Sequence, residues 1–440
     1  MFSQGVAKLS ISEKDFSHVL EKILRDGIIL CDSCSGRIFG LRGYGLTNEE
    51  RGRSLKTVLL MASYKSGSTE FDEQLVRLLA ETGFEPAKIL AEQLGVKFSE
   101  KKCWLCGGIS GKYRELAERA AELTKDYEFS TFLIGCRVPY SITRREEELW
   151  RMYKLADAES LKNEASREIG KIFSEITGKE YSLEKPELTI IIDLENETIE
   201  IEPAPLFICG RYRKLVRGLP QNPWPYTDDR VKYPTSIEEL ITKPMIREAE
   251  GESAKFHAAG REDIDAITLG SGRPFVVEIK YPRKRTLDLK KLEEAINKEA
   301  EGLIEVEGLR YCDRKSVKRL KTLAEIAKKK YRLRVVFEKP VDEKKLREIE
   351  EYFKNVVVSQ RTPLRVLHRR ADKVRKKVVY SIKAKKISEN EVEFIVECQG
   401  GFYVKEFMHG DQGRTKPSVA EMLDNKVVKI ELDVIDIEEV

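Results

Sequence analysis

The stretch Ala259-Gly260-Arg261-Glu262-Asp263-Ile264-Asp265, continuing through Leu269-Gly270-Ser271-Gly272-Arg273-Pro274-Phe275-Val276-Val277-Glu278-Ile279, decides how this chain is read. It sets carboxylates and arginines beside glycines, just ahead of an apolar run of strand character. A strand buries apolar side chains readily. Two aspartates and two arginines at its mouth cost desolvation unless they pair. An aspartate beside an arginine stays ionised, which suits a nucleophile or base rather than an acid. A plain charged turn with one Arg–Asp pair satisfies the same residues, and local chemistry leaves both readings open.

Outward from this stretch, residues 245–440 read as a mixed sheet with helices. Strands are expected at Phe275–Ile279, Leu333–Phe337, Phe394–Cys398 and Val428–Val434. In the last, Val428, Ile430, Leu432 and Val434 alternate with Lys429, Glu431 and Asp433, the pattern of a half-buried strand. Upstream, Gly218-Leu219-Pro220-Gln221-Asn222-Pro223-Trp224-Pro225-Tyr226 breaks regular structure and reads as a connector over 218–245. Residues 111–217 read as α+β, with strands at Phe129–Val138, Leu188–Asp193 and Thr198–Ile201. Residues 1–110 are helical, beginning with an amphipathic segment that places Phe16, Val19, Leu20, Ile23 and Leu24 on one face. A second helix is expected to bury Leu55, Val58, Leu59 and Ala62. The fold class expected is therefore α+β and multidomain.

The helical region also carries two Cys-x-x-Cys pairs, Cys31/Cys34 and Cys103/Cys106, among eight cysteines in all. Each pair places two thiolates about one ion without strain, and two pairs complete a closed structural zinc site. Gly36, Gly107 and Gly108 lie close behind the pairs and would let the backbone bend around a metal. A closed four-thiolate site leaves no open position for chemistry. The remaining cysteines stand in apolar settings as buried thiols.

The composition bounds the partners. Hydrophobic residues make up 41% of the 440, enough for folded cores. No apolar run approaches the ~20 residues needed to span a bilayer, and the N-terminus lacks a secretory pattern, so no membrane partner and a cytoplasmic location are expected. Lys+Arg (79) nearly balances Asp+Glu (75), so the distribution says more than the sum. From Arg361 to Lys386, Asp372 is the one acid among many Lys and Arg, a strip suited to phosphates. There is no Gly-x-x-x-x-Gly-Lys-Ser/Thr loop and no dinucleotide fingerprint. Gly270-Ser271-Gly272 reads as the turn before a strand.

Gly260-Arg261-Glu262-Asp263 resembles the Gly-Arg-Thr-Asp-type catalytic motif of pseudouridine synthases. Cys398-Gln399-Gly400-Gly401-Phe402-Tyr403-Val404-Lys405 resembles their later motif, an aromatic-containing strand ending in a basic residue. Ser359-Gln360-Arg361-Thr362-Pro363-Leu364-Arg365-Val366-Leu367-His368-Arg369-Arg370 and the connector are similar to one branch, the archaeal and eukaryotic Pus-Ten family of tRNA pseudouridine synthases. This resemblance implies an N-terminal zinc-containing region, a THUMP-type RNA-binding region and a C-terminal pseudouridine synthase domain over 246–440.

The resemblance also implies roles. Asp263 would be the nucleophile, with Asp265 the competing assignment, and Lys405 its basic partner. Tyr331 would be the active-site tyrosine, though Tyr311 and Tyr352 are also available. Arg261, Tyr331, Tyr403, Arg361, Arg365, Arg369 and Arg370 would bind the RNA. The implied reaction is isomerisation of T-arm uridines at tRNA positions 54 and 55, without a catalytic cofactor, by a monomer. Two other readings stand beside it. A non-catalytic tRNA-binding protein needs only the basic strip. Another THUMP-bearing modifier needs a cofactor or ATP signature that the sequence lacks.

Overall fold

The computed structural model describes residues 16–64, 70–224, 233–368 and 370–438. The chain divides into two compact units between Pro203 and Ala204. No helix among the described residues is long and apolar enough to cross a membrane.

The first unit opens with α1 (Phe16–Arg25), α2 (Asp32–Arg37), α3 (Asn48–Ala62), α4 (Glu73–Glu81), α5 (Glu85–Leu94) and α6 (Tyr113–Leu123). Leu20, Ile23 and Leu24 are the buried face of α1, as their spacing requires. α3 starts where Thr47 and Glu50 cap each other. The Thr47 hydroxyl accepts from Glu50 N at 3.1 Å, and the Glu50 carboxylate accepts from Thr47 N at 2.7 Å. The expected apolar face of α3 is buried only in part. Val58 is 51% exposed, while Arg51, Gly52, Lys56 and Leu59 point inward. Backbone contact explains the rotation. A Cβ on Gly36 would fall 1.8 Å from Asn48 O, and one on Gly52 1.9 Å from Asp32 O. Gly36 therefore serves the crossing of α2 over α3, not a bend around a metal.

The chain continues through β1 (Thr131–Arg137), α7 (Tyr140–Tyr153), α8 (Leu161–Thr177), β2 (Glu180–Tyr181), β3 (Leu188–Asp193) and β4 (Thr198–Pro203). The sheet runs β2-β1-β3-β4, parallel around β1 and closed by the β3–β4 hairpin. One apolar core runs from Leu20 to Leu194, so packing is continuous across the division expected at residue 110.

The second unit contains β5 (Leu206–Lys214), α9 (Ile237–Glu248), β6 (Ser253–Ala258), β7 (Ile267–Lys280), α10 (Leu289–Glu299), β8 (Ile304–Tyr311), α11 (Arg314–Ile326) and β9 (Lys328–Phe337). It continues with α12 (Glu343–Tyr352), β10 (Val356–Arg361), β11 (Val374–Lys386), β12 (Glu391–Gln399), α13 (Val404–His409), β13 (Thr415–Lys416), α14 (Val419–Leu423) and β14 (Val427–Ile437). The strand order is β13-β10-β11-β12-β9-β14-β7-β5-β8, with β6 also on β7. Neighbours are antiparallel except β14 and β7, which meet in parallel at Asp433↔Ile267 and Val434↔Thr268. Two antiparallel halves are thus joined along one short seam.

Two expected boundaries move. The end of the middle region at 217 falls inside the second unit, because β5 pairs with β7 on one side and β8 on the other. The connector expected over 218–245 is helical from Ile237, where the Ser236 hydroxyl caps α9 by accepting from Glu239 N at 3.2 Å. Residues 225–232 of that connector lie outside the described residues.

Candidate active site

Asp263 and Asp265 stand on the loop between β6 and β7, beside the seam of the sheet. Their carboxylates face outward because the loop's own carbonyls are held from behind. The buried Lys214 Nζ donates to Ile264 O at 2.7 Å and to Asp263 O at 3.3 Å. Arg217 Nη1 donates to Asp265 O at 2.6 Å, and Gly218 N to Ile264 O at 2.8 Å. Burial pushes the Lys214 ammonium down to about 8.

Glu262, between them and Gly260, turns the other way. Its carboxylate is 1% exposed and lies 2.8 Å from Nε of Arg273. It accepts from the Tyr212 hydroxyl at 2.9 Å, and Gln221 Nε2 reaches both Tyr212 Oη at 2.9 Å and Gly260 O at 3.0 Å. Arg273 also donates to Ala259 O at 2.7 Å. Burial, reinforced by Glu262, pushes the Tyr212 phenol up. The desolvation problem posed by the opening stretch is therefore solved by Glu262 and Arg273, not by either aspartate. Glu262→Ala leaves Arg273 buried without its counter-charge, an expected loss of about 3–5 kcal/mol. Denaturant titration of wild type and variant measures it, and a change within ±0.5 kcal/mol contradicts it.

The aspartates meet their cations at the mouth of a cleft of about 540 Å³. Lys405 Nζ lies 3.3 Å from Asp263 Oδ2 and 2.9 Å from Asp265 Oδ2. Arg365 Nη1 lies 3.1 Å from the other Asp263 oxygen, and its Nε lies 2.6 Å from Glu406. Asp263 is therefore gripped by two cations and is the less exposed carboxylate, 31% against 64% for Asp265. Burial opposes ionisation of Asp265, yet the Lys405 hydrogen bond and charge hold it below the usual carboxylate range. Lys405 is not the end of a strand, as expected. It sits in the first turn of α13, because β12 stops at Gln399 and the Gly400-Gly401 turn intervenes.

Of the candidate tyrosines, Tyr331 lines this cleft. It lies within β9, not ahead of it. Burial pushes its phenol up, with Cys398 and Asp263 adding to the effect. Tyr311 instead accepts from Leu287 N at 2.6 Å, and Tyr352 is half exposed against Phe353. Arg261, Arg370 and Tyr403 also line the cleft, with Arg370 Nη1 donating to the Tyr403 hydroxyl at 3.0 Å. Arg361 stands apart, paired with Asp372 at 2.7 Å. Arg369 lies outside the described residues. The basic strip is a turn followed by β11. Glu262, Gln221, Lys214 and Lys329 were not singled out from the sequence. A charged residue inside a glycine-framed motif, as Glu262 is, was the available signal.

In the first unit, the Sγ atoms of Cys31, Cys34, Cys103 and Cys106 all lie within 4.8 Å of one another, with Cys31 and Cys106 at 3.7 Å. Tetrahedral thiolates about 2.3 Å from one ion stand about 3.8 Å apart, so the quartet fits a metal. Trp104 N bonds Ile29 O at 2.8 Å and ties the two pairs' segments together. Cys31 caps α2 and Cys34 lies within it, so the first pair is not in a free turn. Burial pushes the Cys34 thiol up. The buried Arg37 donates to its sulfur at 3.4 Å and offers charge compensation to a thiolate. Arg37 is itself balanced by Glu146 and by Glu164 at 3.7 Å.

Comparison with known proteins places the chain in a family. Residues 207–438 match the family model for the C-terminal part of Pus10, and residues 116–193 match the archaeal Pus10 THUMP domain. The tRNA pseudouridine synthase Pus10 of Thermofilum pendens is 61% identical over 96% of this chain and 95% of its own length. Those of Methanothrix thermoacetophila and Methanopyrus kandleri are 42% and 40% identical, covering 94% and 92% of this chain and 93% and 95% of theirs. Among solved structures, a Cbf5-Nop10-Gar1 complex aligns with 52% of this chain and 48% of its own, at 17% identity and a TM-score of 0.29. This chain belongs to the Pus10 family of tRNA pseudouridine synthases.

Proposed function

We propose that this protein isomerises the T-arm uridines at tRNA positions 54 and 55 to pseudouridine, with Asp263 as the nucleophile. The observation that carries the reading is the pairing of Asp263 with both Lys405 and Arg365 at the mouth of the cleft lined by Tyr331. Such pairing fixes the carboxylate in position for attack. It takes the sugar C1′ as the C1′–N1 bond breaks. The freed uracil turns and its C5 displaces the carboxylate, so C1′–C5 forms as the Asp263–C1′ bond breaks. C5 loses a proton and N1 gains one, so the reaction balances without a redox partner or energy source.

The base must leave its stack to be reached, and Tyr331 and Tyr403 offer aromatic surface to it. Arg261, Arg361, Arg369 and Arg370 supply positive charge for the backbone. Arg365 contributes through Asp263 as well as to the RNA. The four thiolates hold a structural zinc, which cross-links distant segments of the first unit and takes no part in the reaction. The protein acts in the cytoplasm as a monomer.

Base-resolved mapping of pseudouridine in an unmodified tRNA transcript, treated with this protein alone, tests the reading. Conversion at 54 and 55 without any added small molecule is expected. Binding without conversion favours the tRNA-binding alternative.

A further inference from the structure

Lys329 is a charged side chain that neither the fold nor the proposed reaction uses. It is 6% exposed, yet it lines the cleft. It lies two residues before Tyr331 on β9, so both side chains leave the same face of the strand. A Cβ on Gly260 would stand 3.1 Å from its Nζ and 3.2 Å from Nη1 of Arg273. The ammonium therefore sits over the first residue of the Asp263 loop. It makes no hydrogen bond or ion pair among the described residues. Its natural counter-charge, Glu262, is already occupied by Arg273, Tyr212 and Gln221.

We propose that Lys329 is a catalytic residue that donates to a carbonyl oxygen of the displaced uracil. The proposal rests on the isomerase reading above. When C1′–N1 breaks, the bonding pair stays with the base and spreads over N1, O2 and O4. A fixed donor beside a carbonyl stabilises that anion more than it stabilises the bound uridine, which is the condition for speeding the step. The later steps return the balance: C1′–C5 forms as the Asp263–C1′ bond breaks, C5 releases its proton and N1 takes one.

The surroundings suit the task. Burial, then the positive charge of Arg273, pushes the Lys329 ammonium down to about 7. Cys398 and Glu262 act the other way, and Lys377 adds to Arg273. An ammonium near its titration point is a strong donor to negative charge that develops beside it.

Lys329→Met keeps an unbranched apolar stem, one atom shorter, and removes the donor. It is measured in the full chain with unmodified tRNA transcript. We expect single-turnover conversion at saturating enzyme to slow by about 100-fold, with the tRNA Kd within about threefold of wild type. Thio-substitution of the contacted carbonyl, as 2-thiouridine or 4-thiouridine at the target, should slow wild type and leave the variant unchanged. Wild-type conversion by Lys329→Met overturns the proposal. So does a weaker Kd with an unchanged saturating rate, which marks a phosphate contact, and so do thio effects that persist undiminished in the variant. If Lys329→Met melts early, Lys329→Leu, which also lacks a donor, is read by the same criteria. No pseudouridine from wild type sinks the isomerase reading together with this one; active wild type beside an equally active variant sinks this one alone.

Discussion

Asp263→Ala is expected to lower pseudouridine formation by a factor on the order of 10⁴ or more, the scale seen when a nucleophile is removed, while the protein stays folded. Its partners explain the second half of that statement. Without Asp263, Lys405 keeps Asp265 at 2.9 Å and Arg365 keeps Glu406 at 2.6 Å, so neither cation is stranded. The carboxylate is partly exposed, so its pairs contribute about 1 kcal/mol or less to stability. Asp265→Ala supplies the contrast. Asp265 is the more exposed of the two and meets only one of the two cations, so its loss should reduce the rate by about tenfold at most. Single-turnover assays of both variants, with melting curves alongside, decide between them. Full activity of Asp263→Ala with a dead Asp265→Ala would transfer the nucleophile's role to Asp265.

The second large effect concerns the thiolates. Elemental analysis of the intact protein should find about one zinc per chain, and Cys31→Ser combined with Cys103→Ser should abolish it. A metal there would fasten α2 to the segment before α6, and Cys34, Cys103 and Cys106 belong to the core of the first unit. Binding energy at such a site is folding energy, about 10–16 kcal/mol in isolated zinc-finger peptides. A larger helical unit retains part of its packing without metal, so a loss of several kcal/mol is expected. It should appear as an early melting transition of the first unit. Intact protein free of metal would sink the assignment.

Much of this was legible because it was local. The alternation in Val428–Val434 marks a half-buried strand, and the cysteine spacing marks two claws for one ion. What stayed hidden was non-local. Leu206–Lys214 looks like the tail of the region before it, and only its pairing with β7 and β8 assigns it to the second unit. Nothing near Glu262 in sequence announces that its partners are Tyr212 and Arg273. The burial of Lys56, whose Nζ donates to Leu30 O at 2.9 Å and Asp32 at 2.7 Å, follows from a crossing of two glycines. Apolar periodicity has no view of that contact. Arg365 was read as a phosphate ligand, yet the fold also sets it between two carboxylates contributed by distant segments.

The seam between β7 and β14 also has a bearing on when this site comes into being. Leu432 and Val434 of β14 wall the cleft, and Arg217 reaches across 215 residues of chain to Leu432 O. A ribosome delivers the Asp263 loop long before it delivers the strand that backs it. Without β14 between them, β9 and β7 lack a partner along those edges and the cleft lacks one wall. Such late, long-range closure slows folding. It also means that a half-made chain, although it already carries the reactive carboxylate, has no chamber in which to use it.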